Sequence, residues 1–157
     1  MDIDTAFDAP IGEVARAIRD AKLSPVDLVG ACLDRIAIRD GTLQSFVHVA
    51  GNALEQAKSA ELAVRDGRAL GPLHGIPIAV KDNYLTADMP TTAGTAAEIA
   101  FPKEDGAAIA RLRKAGAILI GKTRMHEFAW GMETPPACNP HDEGRVPGGS
   151  SGGSGVA

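Results

Sequence analysis

Two short apolar runs with a helical pattern between them restrict the fold of this chain more than any other feature. Residues 76–80 (IPIAV) and 117–121 (AILIG) carry no charge, which is typical of strands covered on both faces. Between them, residues 106–115 place apolar side chains at helical spacing, with Asp105 before and Gly116 after. Strand, helix and strand in this order predict a βαβ unit with a parallel strand pair.

The N-terminal residues carry helical patterns. Apolar side chains recur at helical spacing in residues 11–23 and again in residues 26–36. Ser24 and Pro25 between them are typical of a helix start, and we expect the second helix to stop near residues 40–41. Two helices joined this closely predict a helical hairpin.

Two further elements complete the predicted order. Residues 45–49 (SFVHV) predict a short strand, and residues 52–66 predict an Ala-rich helix that ends at Gly67. Aromatic residues make up only 4% of the chain, so the core must consist mainly of Ala, Val, Ile and Leu. The predicted fold class is α/β, with a mixed, partly parallel sheet flanked by helices.

Composition excludes several classes of function. The net charge is −4 and the basic residues are scattered, so the chain lacks the basic patch of a nucleic-acid-binding protein. No apolar run approaches membrane-spanning length, and the first residues do not form a secretory signal, so we expect a cytoplasmic protein. Cys32 and Cys138 suggest no disulfide framework, and Cys138 with His141 alone is too little for a metal site.

Lys81 is the first candidate for chemistry. It follows the apolar run 76–80, and the carboxyl end of a parallel strand is where open α/β sheets bind ligands. Burial there would favour the neutral amine, which can act as a base. Taken alone, a surface lysine at the end of a strand is the commoner explanation.

The second candidate is the Gly/Ser-rich run at residues 147–157 (PGGSSGGSGVA). By composition alone it is typical of a flexible linker. A phosphate-binding loop is excluded because no Gly-Lys-Ser/Thr follows the glycines. Residues 149–153 match G-x-S-x-G, but no strand precedes them and no acid or histidine follows, so a nucleophile elbow is excluded as well.

Four blocks of the sequence, taken together, are more specific than either candidate alone. They are residues 71–83 (GPLHGIPIAVKDN), 90–95 (PTTAGT), 116–128 (GAILIGKTRMHEF) and 147–154 (PGGSSGGS). In this order they closely resemble the amidase-signature family, and the likeness covers nearly the whole chain. The resemblance implies a single, truncated amidase-signature domain, with a mainly helical part at residues 1–68 and an α/β part at residues 69–157.

The resemblance implies roles for individual residues. Lys81 matches the general base, and Ser150 matches a bridging serine that follows a cis peptide bond. Ser151 matches a neighbour that supports the network by hydrogen bonding, with Gly148 and Gly149 as further supporting residues. A second, nucleophilic serine attacks the amide carbonyl, and water then releases the acyl-enzyme.

Two residues are candidates for a substrate pocket. Trp130 and Gly131 open a segment that shapes the pocket in the family, although packing is the simpler explanation for Trp130 and for Phe128 nearby.

The resemblance leaves three functions open. The family's nucleophile lies in a D-x-G-G-S stretch, which this sequence does not contain. The preferred hypothesis is an amidase of which this chain is the N-terminal part, inactive by itself. The alternatives are the A subunit of a glutamine-dependent aminoacyl-tRNA amidotransferase and a non-catalytic truncated product. We expect a small-molecule amide substrate, no cofactor, no metal, and no direct contact with nucleic acid or membrane; a homodimer is left open.

Overall fold

The computed structural model describes residues 1–68 and 71–157. The elements, in chain order, are α1 (Ile3–Asp8), α2 (Ile11–Arg19), α3 (Pro25–Leu43), β1 (Phe46–Val49), α4 (Ala53–Arg65), β2 (Pro77–Lys81), α5 (Ala107–Lys114), β3 (Ile118–Thr123), a 3₁₀ turn (Glu127–Ala129) and α6 (Gly152–Val156). In this described part, no helix has the length and apolar character needed to cross a membrane. Residues 69 and 70, where the predicted α/β part begins, lie outside the described residues.

The three strands form one mixed sheet in the order β1-β3-β2. Strand β1 runs antiparallel to β3, with Phe46 opposite Thr123. The Ile118 N–H donates to the Ile76 carbonyl at 2.9 Å, and the Asp82 N–H donates to the Thr123 carbonyl at 3.1 Å. Both strands advance in the same direction between these two bonds, so β2 and β3 are parallel. The predicted βαβ unit and the α/β fold class are confirmed.

Helix α3 begins as predicted but ends later. The Ser24 hydroxyl accepts the N–H groups of Val26 and Asp27 at 3.1 and 3.2 Å, which is the geometry of an N-cap. The helix then continues through Gly41 to Leu43, so the predicted stop at residues 40–41 was wrong. The chain leaves the helix at Gln44, whose φ is 49°.

Helix α1 was not predicted, because six residues are too few to establish a helical period. Its start is fixed by Asp2, whose carboxylate accepts the Thr5 N–H at 2.8 Å and the Thr5 hydroxyl at 2.9 Å. Such a bond satisfies one of the N–H groups that a helix start leaves without a partner.

The chain forms two compact units, each built from separate segments. The first unit comprises Met1–Arg35, Gly51–Ile78 and Arg111–Ile120, and the second comprises Ile36–Ala50, Ala79–Ala110 and Gly121–Ala157. The core of the first unit is aliphatic, with Ala6, Val14, Ala15, Ala17, Ile18, Leu23, Leu28 and Ile76 as its buried members. The second unit contains both Lys81 and Ser150. The predicted division near residue 68 stays a prediction.

Glycine substitutions test the corrected end of α3. Gly41 lies inside the helix, and a Cβ built there meets no atom within 4 Å. We therefore expect Gly41→Ala to raise the free energy of unfolding by about 0.5–1 kcal/mol, because Ala loses less backbone entropy in a helix. Urea denaturation measures the change.

Gly116→Ala serves as the contrasting variant. Gly116 has a φ of 94°, and a Cβ there would lie 2.7 Å from the Cα of His74. This variant should therefore be less stable than the parent chain. A destabilised Gly41→Ala would show that the helix ends at Gly41 after all.

Candidate active site

Lys81 is the last residue of β2 and is half-buried. Its Nζ donates a hydrogen bond to the Ser150 Oγ at 2.7 Å. The two residues are 69 positions apart in the sequence, so the fold brings them together. Burial lowers the pKa of the Lys81 amine below its ordinary value of 10.5, because desolvation penalises the charged form.

Ser150 lies on a folded turn that leads into α6. The peptide bond between Gly149 and Ser150 is cis, as the resemblance implied. The Ser150 carbonyl accepts the backbone N–H of His126 at 3.0 Å. The serine is therefore fixed on both sides, by Lys81 through its hydroxyl and by His126 through its carbonyl.

The glycines of the turn allow its backbone to pass very close to neighbouring segments. Gly148 has a φ of 86°, a conformation that side chains disfavour. A Cβ on Gly149 would lie 2.6 Å from the backbone nitrogen of Glu133, and one on Gly153 would lie 2.5 Å from the backbone of Arg124. The Gly/Ser-rich run is therefore packed structure, and the flexible linker that its composition suggested is excluded.

Thr134 ties the two ends of this turn together. The residue is fully buried, and its hydroxyl donates to the Gly148 carbonyl at 3.0 Å while accepting the Gly152 N–H at 3.1 Å. One side chain thus satisfies a buried donor and a partly buried acceptor on opposite sides of Ser150.

The end of β3 supports α6 through its side chain and backbone. The Thr123 and Ser154 hydroxyls lie 2.6 Å apart and share a hydrogen bond. The next residue, Arg124, accepts the Gly153 N–H at 3.0 Å and donates its own N–H to the Ser45 carbonyl at 2.7 Å. These bonds fix the helix that begins directly after the serine pair.

The residue after the lysine forms a buried ion pair. Asp82 follows Lys81, and its Oδ1 lies 2.8 Å from the Nζ of Lys122 on β3. Both side chains are completely buried. The second carboxylate oxygen accepts the Thr92 N–H at 3.0 Å and the Thr92 hydroxyl.

The remaining predicted site residues take different positions. Ser151 is exposed and precedes α6. Gly131 donates its N–H to the Nδ1 of His126 at 3.0 Å. It therefore contacts the residue whose backbone N–H binds the Ser150 carbonyl. Trp130 is 92% exposed and Phe128 is 63% exposed, so neither side chain belongs to the core of the described residues. Their roles at a substrate pocket stay predictions.

Several supporting residues were not identified from the sequence. Thr134, Thr123 and Ser154 carry no local pattern that distinguishes them from other hydroxyl residues. The ion pair left only a partial signal: Lys122 directly follows the apolar run 117–121, and Asp82 comes one residue after Lys81, which follows the run 76–80. Buried charges require partners, but the sequence does not show that these two residues pair.

Side chains that could hold a metal ion are scattered in the part of the chain that the structure describes. Within residues 1–68 and 71–157, no group of three or more His, Cys, Asp or Glu side chains is arranged to hold an ion. The Cys138 thiol, one half of the C-x-x-H pair, donates to the Thr42 carbonyl at 3.5 Å.

Comparison with known proteins places these features in one family. The family model named Amidase matches residues 27–157. The chain is 45% identical to the A subunit of the glutamyl-tRNA(Gln) amidotransferase of Thermobifida fusca, covering 92% of this chain and 30% of that protein. It is 42% identical to an amidase of Pseudomonas putida, covering 88% of this chain and 30% of the amidase.

Solved structures give the same result. The peptide amidase of Stenotrophomonas maltophilia superposes with a TM-score of 0.87 at 34% sequence identity, covering 95% of this chain and 33% of the peptide amidase. The chain thus spans about a third or less of the length of these relatives.

Thr134 offers a test of how the serine turn is held. Thr134→Val keeps the shape of the side chain but removes the hydroxyl, which leaves the Gly152 N–H and the Gly148 carbonyl without this partner. We expect a loss of about 1–3 kcal/mol in the free energy of unfolding, the cost of leaving buried polar groups unpaired. Urea denaturation measures it, and Thr134→Ser, which keeps the hydroxyl, is the control. Equal stability of the two variants would contradict this role.

Proposed function

The chain belongs to the amidase family, and from that premise we propose that Lys81 and Ser150 form the proton-transfer half of a site that hydrolyses a carboxamide C–N bond. The observation that carries the proposal is the 2.7 Å contact between the Lys81 Nζ and the Ser150 Oγ. A lysine and a serine hydroxyl at this distance can exchange a proton directly. Neither residue needs a cofactor for that step.

The proposed steps begin with neutral Lys81. Its amine accepts the Ser150 hydroxyl proton while Ser150 takes the proton of a second, nucleophilic serine. The nucleophile's oxygen forms a bond to the amide carbonyl carbon, and the C–N bond then breaks. The proton returns from Lys81 through Ser150 to the leaving nitrogen. Water, deprotonated by the same route, attacks the acyl-enzyme, releases the carboxylic acid and restores the serine.

Burial of Lys81 suits it to this task. An ordinary lysine amine is almost entirely protonated near neutral pH, and an ammonium has no lone pair with which to accept a proton. Because burial lowers the pKa of Lys81, a larger fraction of its amine is neutral at a given pH.

The mechanism requires a nucleophilic serine, which the family carries in a D-x-G-G-S stretch, and the sequence contains no such stretch. We therefore propose that residues 1–157 by themselves do not turn over amides, since loss of the nucleophile and its oxyanion-stabilising N–H groups removes most of the rate enhancement.

A second candidate function is the release of ammonia from glutamine, as part of an amidotransferase. The observation that favours it is the identity of 41–45% to amidotransferase A subunits from several bacteria, including Thermobifida fusca, Nocardia farcinica and Salinispora tropica. The two candidates differ in substrate and in the acceptor of the nitrogen, while the proton transfer through Lys81 and Ser150 is common to both.

Chimeric enzymes provide the test of the proton-transfer pair. Residues 1–157 would replace the matching segment of the Pseudomonas putida amidase, and kcat/KM would be measured on a panel of primary amides. We expect Lys81→Ala and Ser150→Ala each to reduce kcat/KM by about 10²–10⁴-fold. Lys81→Arg should be as inactive as Lys81→Ala, since a guanidinium does not lose its proton in proteins.

The exposed lysine Lys22, which pairs with Asp20 at 3.3 Å, supplies the matched control, and Lys22→Ala should keep full activity. Substantial turnover by either Lys81 variant would exclude Lys81 as the base. A parallel chimera with the Thermobifida fusca protein, assayed for glutamate release from glutamine, distinguishes the two candidate functions.

The pH dependence of the active chimera gives an independent check. Only the neutral amine of Lys81 is competent, so kcat/KM should rise with pH and level off once the pH exceeds the pKa of Lys81. Because burial lowers that pKa, the midpoint of the rise should lie below pH 10.5. A profile that is flat from about pH 6 upward in the parent, or unchanged in Lys81→Ala, would contradict the assignment.

A further inference from the structure

The position of Asp82 raises a question about its neighbour. A carboxylate close to a lysine stabilises the ammonium and so weakens the amine as a base. Asp82 follows Lys81 directly in the sequence, yet the Lys81 Nζ contacts Ser150 and the Asp82 carboxylate contacts Lys122 and Thr92. The two adjacent side chains thus bind separate partners.

Lys122 has three polar partners inside the protein. Its Nζ donates hydrogen bonds to the Pro90 carbonyl at 3.0 Å and to the Thr91 hydroxyl at 2.9 Å, and it lies 2.8 Å from Asp82 Oδ1 in an ion pair that does not have hydrogen-bond geometry. The side chain has no exposed surface. Buried charged groups require partners, and these three contacts keep the Lys122 side chain in a fixed position.

Both backbone polar groups of Asp82 form hydrogen bonds. Its N–H donates to the Thr123 carbonyl at 3.1 Å, and its carbonyl accepts the Ala93 N–H at 3.2 Å. The carbonyl of Lys81 itself accepts the Tyr84 N–H at 3.0 Å. The backbone that carries Lys81 is therefore fixed on both sides of the Lys81–Asp82 peptide.

We propose that the buried Asp82–Lys122 ion pair is a positioning element for Lys81, which fixes the end of β2 and balances the Asp82 charge so that it does not hold Lys81 as an ammonium. The inference rests on the proposed role of Lys81 as the base. Lys122 and Asp82 act through Lys81 and do not touch the reacting atoms.

The cost of burying charge supports this assignment over a purely stabilising one. Moving two ions out of water offsets much of their attraction, so an apolar pair of similar volume would stabilise the fold as well or better. The ion pair supplies something that an apolar pair lacks: a fixed location for two opposite charges, one of them on the residue that follows the lysine.

Other charged or titratable residues near the site contact it through their backbone or bind elsewhere. His126 binds the Ser150 carbonyl through its backbone, Glu133 lies against Gly149 through its backbone, and Arg124 donates its Nε–H to the Gln44 carbonyl. None of these three residues is substituted in the variants used below, so a difference in the pKa of Lys81 between variants is due to the change in the ion pair.

The experiment measures the ionisation of Lys81 in the 157-residue chain. Competitive acetylation with acetic anhydride across a range of pH, followed by mass spectrometry of the Lys81 peptide, yields its pKa without any turnover. The variants are Lys122→Met, Asp82→Asn and the double variant, each checked for folding by circular dichroism. Lys22→Met and Asp20→Asn, at the exposed pair, are the matched controls.

The variants should change the pKa of Lys81 in different directions. Lys122→Met leaves the Asp82 carboxylate unbalanced and should raise the pKa of Lys81 by at least about 0.5 unit. Asp82→Asn leaves only a positive or neutral Lys122 and should lower the pKa or leave it unchanged. The double variant should return to within about 0.3 unit of the parent, and the controls should not differ from the parent.

A role confined to packing predicts a different pattern. Loosening the site admits water, which would raise the pKa of Lys81 in both single variants and in the double variant. That outcome, or an unchanged pKa in a folded Lys122→Met chain, overturns the proposal. If Lys122→Met does not fold, the double variant and Asp82→Asn still distinguish charge balance from packing. A role in packing alone requires the pKa of Lys81 to rise in both of these variants. Failure of the chimera to turn over amides would leave this result unaffected.

Discussion

The site depends on the last residues of β3, which bind the surroundings of both Lys81 and Ser150. Lys122 and Thr123 hold Asp82 by side chain and by backbone, and Asp82 follows the lysine. Thr123 also shares a hydrogen bond with Ser154, and Arg124 accepts the Gly153 N–H. The end of β3 thus positions the surroundings of both Lys81 and Ser150. This explains how two residues 69 positions apart in the sequence come within 2.7 Å of each other.

This arrangement concentrates unfavourable features where the chemistry is proposed to occur. Two charges are buried completely, a backbone turn adopts conformations that only glycine tolerates well, and a lysine is partly withdrawn from water. Each feature costs free energy in isolation. Polar contacts offset these costs: Lys122 forms two hydrogen bonds and an ion pair, and Thr134 binds the turn on both sides of Ser150.

The larger elements could be predicted from the sequence because burial leaves a periodic pattern. The apolar runs and the helix between them defined the βαβ unit, and the Ser24-Pro25 pair defined the start of α3. The end of α3 was misplaced because Gly41 was taken as a stop, whereas the turn is made at Gln44. Lys81 was a candidate from its place at a predicted strand end, but its pairing with Ser150 and the roles of both residues came only from the resemblance to a family.

The supporting contacts escaped prediction for a different reason. Thr134, Thr123 and Ser154 act through hydroxyl groups whose partners are distant in sequence, and no local period encodes such pairings. The sequence also did not show that the large apolar side chain of Trp130 is exposed in the described residues. Polar contacts between residues that are distant in the sequence are thus the part of the site that only the structure reveals.

The decisive measurement is a crystal structure of the 157-residue chain that resolves the Lys81 and Ser150 side chains. We predict an ordered turn at residues 147–151, with the Lys81 Nζ within about 3.2 Å of the Ser150 Oγ. A Lys81 side chain turned away from Ser150, or a disordered Gly/Ser-rich run, would contradict the claim that one strand end positions both residues for proton transfer.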